Sequence, residues 1–190
     1  MSQGNVLFLL SGSIACYKAC TAISRLTQAG VTVQTVATAA ALRFVGAPTL
    51  EGLSGRPVFT DVFEAGRALD HINLARAADL AIVCPATANT INRLAGGLGD
   101  DPIGALFLAW EIKQKPWLIA PAMNGYMWDH PATTASLEQL QHWGIRLLDP
   151  VAGAHACGES GPGRLMEPEQ IAAEVLTILR TRGGSVSAES

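Results

Sequence analysis

Charge is what this 190-residue chain has least of. Only 15% of its residues are Asp, Glu, Lys or Arg, while 49% are hydrophobic. An ordinary soluble domain carries about 25% charged residues, so this surface is short of polar cover. An Ala-rich α/β core accounts for part of that. Surface buried in an oligomer accounts for more, and a homo-oligomer is expected. Basic runs are absent and the net charge is −3, which leaves no electrostatic footprint for nucleic acid. No apolar run reaches the roughly 18–20 residues of a membrane-spanning helix. The opening stretch MSQGNVLFLL has no basic region ahead of its apolar run, so no secretory leader is expected. Without one, Cys16, Cys20, Cys84 and Cys157 read as thiols and not as a disulfide set. Cys16 and Cys20 stand four apart on an expected helix but have no second ligand pair nearby, so no metal is expected. A cytoplasmic location follows as an expectation.

What the chain does have is an alternation of short apolar runs with helical spacing. NVLFLL (5–10), VTVQTVA (31–37), LAIVCPA (80–86), PWLIAPA (116–122) and IRLLDP (145–150) read as five strands. Helices are expected over Ile14 to Ala29, over AAALRFV, and from Pro48 to Leu53. Further helices are expected over TANTINRLAGG, from Pro102 to Ile112, from Pro131 to Trp143 and from Pro168 to Arg182. Gly55 to Asp70 and Val151 to Glu167 read as loops, and 183–190 as a disordered tail. Strands apolar throughout, alternating with helices, imply an α/β domain over 1–182: a parallel sheet between two helical layers. Ligands of such sheets sit beyond the carboxyl ends of the strands, so the loops after the strands are where chemistry is sought.

SGSIACYK (Ser11–Lys18) joins the first strand to the first helix. Its small residues and the helix start suit an anion such as a phosphate, aided by the Ser11 and Ser13 hydroxyls. An ordinary tight turn with a serine cap fits the same letters. Thr38, after the second strand, caps a helix or touches that anion. PATANT (Pro85–Thr90) places two threonines and an asparagine at another helix start, more polar groups than one cap requires. His71 follows Asp70 in DHINLARAADL, and Cys157 lies among glycines in HACGESGPGRLMEP. PAMNGYMW (Pro121–Trp128) puts two methionines, two aromatics and one amide on the loop after the fourth strand.

GSIACYK, HINLARAADL, PATANTINRLAGGLGDD, PAMNGYMWDHPAT and ACGESGPGRLMEP together resemble the homo-oligomeric flavin-containing cysteine decarboxylases. The resemblance covers about residues 4–180 and is most specific at PATANT and PAMN-x-x-MW. It implies a three-layer flavodoxin-like fold, FMN as cofactor without a metal, and a trimer, often assembled further into a dodecamer. It implies that PAMNGYMW closes over flavin and substrate near a subunit interface. The implied chemistry oxidises a cysteine thiol to a thioaldehyde with hydride transfer to FMN and loses CO2 to give an ene-thiol. The electrons are then returned. The best match within the family is the branch that decarboxylates phosphopantothenoylcysteine in coenzyme A biosynthesis.

On that resemblance His71 matches the family's catalytic histidine and Cys157 the proton donor of the reductive half. Asn124 matches the carboxylate-binding asparagine, with Met127 beside it at the substrate. Gly12, Ser13 and Thr38 match contacts to the flavin phosphate. Phe44 matches an aromatic near the isoalloxazine, and Thr87, Asn89 and Thr90 match further flavin contacts. Residues 92–113 depart from the family's commoner Ala/Thr-rich helix. Many bacterial members are fused to a synthetase; this chain stops at Ser190, so an unfused enzyme is expected. The alternative within the family is a peptidyl-cysteine decarboxylase acting on a C-terminal cysteine, whose ene-thiol is not reduced; Cys157 favours the first branch. A non-catalytic flavin-binding subunit would lack His71 or Asn124, and a flavin prenyltransferase would lack the PAMN-x-x-MW segment.

Overall fold

The computed structural model describes residues 3–67, 69–154 and 160–186. Five parallel strands form its central sheet: β1 (Asn5–Leu10), β2 (Thr32–Ala37), β3 (Leu80–Ala86), β4 (Trp117–Pro121) and β5 (Arg146–Leu147). Their spatial order is β2-β1-β3-β4-β5, the flavodoxin-like order expected. Strand pleating sends alternate side chains to opposite faces, and β1 shows why the sheet needs two helical layers. Val6, Phe8 and Leu10 pack with α1 (Cys16–Gln28), α2 (Ala47–Ser54) and α8 (Pro168–Val186) through Ile23, Leu26, Leu50 and Val175. Leu7 and Leu9 face the other layer: α3 (Asp70–Ala77), α4 (Ala88–Ala95), α5 (Pro102–Leu108) and α7 (Pro131–His142). Each large side chain so buried contributes about 1.5–3 kcal/mol. The strand order reverses between β1 and β3, so the crevice for a ligand opens at their carboxyl ends.

Several elements differ from the sequence reading, each for a local reason. AAALRFV forms only a single 3-10 turn, Ala41–Arg43. Extended Gly46 interrupts it, and α2 starts afresh with Pro48 in its first turn. Helix α3 went unread because it buries only Ala75 and has no side-chain cap, so it lacks both the apolar stripe and the start signal. Helix α5 stops at Leu108, not Ile112, and the chain folds back. That return puts buried Trp110 edge-on to Trp117, with ring centroids 5.5 Å apart, and lets its indole N–H donate to the Lys115 carbonyl. The stretch expected as a loop from Val151 to Glu167 contains an antiparallel hairpin, β6 (Val151–Ala154) and β7 (Ser160–Arg164). Part of the PAMNGYMW loop is a one-turn helix, α6 (Gly125–Trp128). Helix α8 continues to Val186, into the expected tail. Among the described residues no helix is long and apolar enough to cross a membrane.

Candidate functional site at the carboxyl ends of β1 and β3

Ser11 directly follows β1 and is fully buried. Its hydroxyl donates to the Pro85 carbonyl (2.7 Å) and accepts the Thr87 N–H (3.0 Å). This bridges the loop after β1 to the loop after β3. The expectation that Ser11 helps hold an anion is therefore corrected, because its hydroxyl is spent within the fold. Ser13 differs. Its oxygen accepts the Ala15 N–H at 3.2 Å, which leaves its proton free to donate. Among the described residues the N–H groups of Gly12, Ser13 and Ile14 have no partner, and α1 starts without a side-chain cap. Three open amides and a hydroxyl before a 13-residue helix suit an oxyanion such as a phosphate.

Gly12 is required here by close approach. A Cβ on it would sit 2.6 Å from the Ala40 Cβ and 3.1 Å from the Ala40 carbonyl carbon. The loops after β1 and β2 thus touch directly. Gly12→Ala should force them apart at about 1–3 kcal/mol, or roughly 2–4 °C of Tm per kcal/mol in a chain of this size. It should also loosen the amide cradle. Thermal unfolding with and without added FMN checks both; an unchanged Tm would show that the contact gives way freely.

The remaining expected cofactor contacts divide into scaffold and exposed groups. Thr38 is buried; its hydroxyl accepts the Ala41 N–H at 3.1 Å and caps the 3-10 turn. Thr87 caps α4 by accepting the Thr90 N–H, and the two hydroxyls lie 3.1 Å apart. Asn89 is exposed on the first turn of α4, and Phe44 is 53% exposed beside the 3-10 turn. The structure thus gathers Gly12, Ser13, Thr87 and Thr90 around the two strand ends.

Asn124 is the N-cap of α6. Its Oδ1 accepts the Met127 N–H at 2.9 Å. That bond fixes the side-chain orientation and leaves the amide nitrogen, a pure donor, as the free half. Asn124 lines a cleft of about 410 Å³ with Asn89, Asn92, Met127 and His130. Asn92 was not anticipated. It lies one turn beyond Asn89 on α4, and its Oδ1 is buried without a partner; the i, i+3 spacing is the signal that could have found it.

His71 is the second residue of α3. Its Nδ1 is shut off from solvent and has no hydrogen-bond partner. A buried polar atom left open in this way marks either a cost or a function. His71 does not line the Asn124 cleft.

Cys157 lies outside the described residues, but the stem of its hairpin is tied to the Asn124 loop. The Met123 N–H donates to the Gly163 carbonyl at 2.9 Å. Gly163 has φ +104°, and a Cβ there would meet the Met123 carbonyl oxygen at 2.6 Å. A second tie was not read from sequence. Lys18 on α1 reaches both Glu167 oxygens (2.9 and 3.0 Å), and Arg164 of β7 reaches Oε1 at 2.6 Å. The three described cysteines are free thiols. Burial pushes Cys16, Cys20 and Cys84 above the ordinary thiol range, so they stay protonated and poorly nucleophilic at neutral pH. Among the described residues no group of three or more His, Cys, Asp or Glu could hold a metal ion.

Comparison with known proteins agrees with this geometry. The flavoprotein family model matches residues 1–180. The coenzyme A biosynthesis bifunctional protein CoaBC of Mycobacterium tuberculosis (strain ATCC 25618 / H37Rv) is 46% identical over 166 residues, 87% of this chain and 39% of that protein. The Bacillus subtilis (strain 168) protein of the same name is 44% identical over 173 residues, 90% of this chain and 42% of that protein. The chain therefore spans about two fifths of the length of the curated relatives it matches. Among solved structures, a PPC decarboxylase mutant complexed with pantothenoylaminoethenethiol superposes with TM-score 0.82 at 31% identity, covering 93% of this chain and 98% of that one. The FMN binding protein AtHal3 gives TM-score 0.81 at 31% identity, covering 94% of this chain and 98% of that one. Since the family match runs from the first strand into the last helix, the chain belongs to the flavoprotein family, and within it is similar to the PPC decarboxylases.

Proposed function

We propose that this chain catalyses the FMN-dependent decarboxylation of 4′-phosphopantothenoylcysteine to 4′-phosphopantetheine. The observation that carries the reading is the state of Asn124. Its oxygen is committed to the α6 cap, so only N–H donors remain to meet a ligand in the cleft, and donors are what a substrate carboxylate needs. The similar PPC decarboxylase holds pantothenoylaminoethenethiol, the ene-thiol that oxidation and loss of CO2 from such a cysteine would leave. That compound supports a pantothenoyl substrate over a peptide.

The open amides of Gly12, Ser13 and Ile14 would hold the FMN phosphate, and the α4 start with Thr87 and Asn89 would lie against the flavin. FMN, when bound, supplies the hydride acceptor and returns the same electrons, which keeps the net reaction redox-neutral. His71 is the base or orienting group for the substrate thiol; its Nδ1 is buried and has no hydrogen-bond partner in the fold. Asn124 anchors the carboxylate until it departs as CO2. Cys157 supplies the proton when the ene-thiol is reduced. Exposed Ile14, Tyr17, Phe44, Tyr126 and Met127 all follow strand ends on the site's side. We assign them to subunit contacts in a cytoplasmic homo-oligomer built on a trimer.

The test is direct. The purified protein should be yellow with non-covalent FMN, and should convert 4′-phosphopantothenoylcysteine to a product lighter by one CO2 by mass spectrometry. A cysteine-ended peptide should be left unchanged. Release of an ene-thiol, or turnover of the peptide alone, would overturn the reading in favour of a peptidyl-cysteine decarboxylase. A colourless protein that takes up no added FMN would end both.

A further inference from the structure

The start of α3 has little to hold it in place. It has no side-chain cap and buries only Ala75, yet it carries His71. One residue outside the helix compensates. Arg67 donates through Nε to the Asp70 carboxylate at 2.7 Å and through Nη1 to Glu64 at 2.8 Å. Its guanidinium lies over the Phe59 ring, 5.2 Å from the centroid. Phe59 is fully buried and locked to the edge of β2 at both backbone groups: its N–H donates to Thr35 and its carbonyl accepts from Ala37, each at 3.0 Å. The Arg67 carbonyl also accepts the Asp70 N–H at 2.9 Å. Among the described residues Asp70 has no other side-chain partner.

These contacts form a continuous line from the sheet edge through Phe59 and Arg67 to Asp70 and the adjacent His71. We propose that Arg67 is a positioning residue for His71, fixing the first turn of α3 against β2 so that the imidazole is held at the substrate thiol. The proposal rests on the reading of His71 given above. Arginine is the residue this needs. A planar fork can engage two carboxylates while stacking on a ring, and a lysine ammonium cannot. The Arg67 side chain is 27% exposed, Asp70 34% and Glu64 49%. Ion pairs so exposed contribute little to folding, so the effect is expected in orientation and not in stability.

The experiment is anaerobic reduction of bound FMN by 4′-phosphopantothenoylcysteine in wild type, Arg67→Gln, Arg67→Lys, His71→Asn and the Arg67→Gln/His71→Asn double variant. A reacting group misplaced by an ångström costs on the order of 10²-fold. Arg67→Gln should therefore lower the limiting reduction rate by about 10–10²-fold, with FMN content, substrate half-saturation and Tm nearly unchanged. Arg67→Lys should restore only part of the rate. The double variant should be no slower than His71→Asn alone, because Arg67 acts through that side chain. A wild-type rate in Arg67→Gln, or additive losses in the double variant, would overturn the proposal. If His71→Asn itself reduces flavin at the wild-type rate, it is the reading of His71 that fails. If Arg67→Gln does not fold, Asp70→Asn breaks the same link from the other side and is read in the same way.

Discussion

His71→Asn should keep its FMN and lose flavin reduction by substrate by about 10²–10⁴-fold, the usual contribution of a positioned acid or base. The substitution is chosen for its shape. An Asn amide places a hydrogen-bonding group close to where Nδ1 stands, so the buried position that Nδ1 occupies without a partner still holds a polar atom. What disappears is the imidazole's role as a proton acceptor or donor, which an amide cannot fill. The cradle at Gly12 to Ile14 lies on a different element, so FMN retention should be untouched. Stopped-flow absorbance of the oxidised flavin under anaerobic conditions reads the rate. A variant that reduces flavin as fast as wild type would show that His71 is part of the scaffold only.

Asn124→Asp should weaken substrate binding by about 10²–10³-fold while leaving the fold intact. Aspartate caps helices as well as asparagine does, so the bond from the Met127 N–H survives and α6 still starts at Gly125. The free half of the side chain changes from an N–H donor to a carboxylate oxygen, turned toward the place a substrate carboxylate would occupy. Two unit charges about 4 Å apart at an effective dielectric near 20 repel by about 4 kcal/mol, or up to about three decades of affinity. Asn124→Ser is the matched control, since it keeps a capping oxygen and adds no charge; its loss should be smaller. If titration of substrate gives the Asp variant an affinity equal to the Ser variant, no anion binds at Asn124.

β3 and β4 were legible because they are apolar throughout. LAIVCPA and WLIA have every residue buried, so run length alone revealed them. Elements with little buried apolar surface were not legible. Helix α3 buries one alanine, and β7 is spelled SGPGR, a composition that reads as turn because its partner strand and Met123 are invisible along the sequence. The small residues after β1 read as room for a ligand; what the fold shows at Gly12 is close approach to Ala40. Ser11 was misread because its partners, Pro85 and Thr87, stand more than seventy positions away. Asn92 and Arg67 acquire meaning only once α4 has a cleft-facing side and Phe59 a place on β2. The roles of His71, Asn124, Met127 and Cys157 came from family resemblance; nothing in their spacing dictates them.

The junction at Gly163 has a consequence for how this chain can diverge. At φ +104° an ordinary residue is strained, and the Met123 carbonyl oxygen fills the space a Cβ would need. Relief by movement is blocked as well, because the same backbone pair is hydrogen-bonded. Position 163 is therefore closed to drift, whereas Gly55, also left-handed at +69° but with open space around it, can change to Asn or Asp at small cost. The hairpin that carries Cys157 and the loop that carries Asn124 are locked to each other at one point. A lineage that remodels one must remodel both in step, so the β6–β7 hairpin and the Asn124 loop are inherited as a pair.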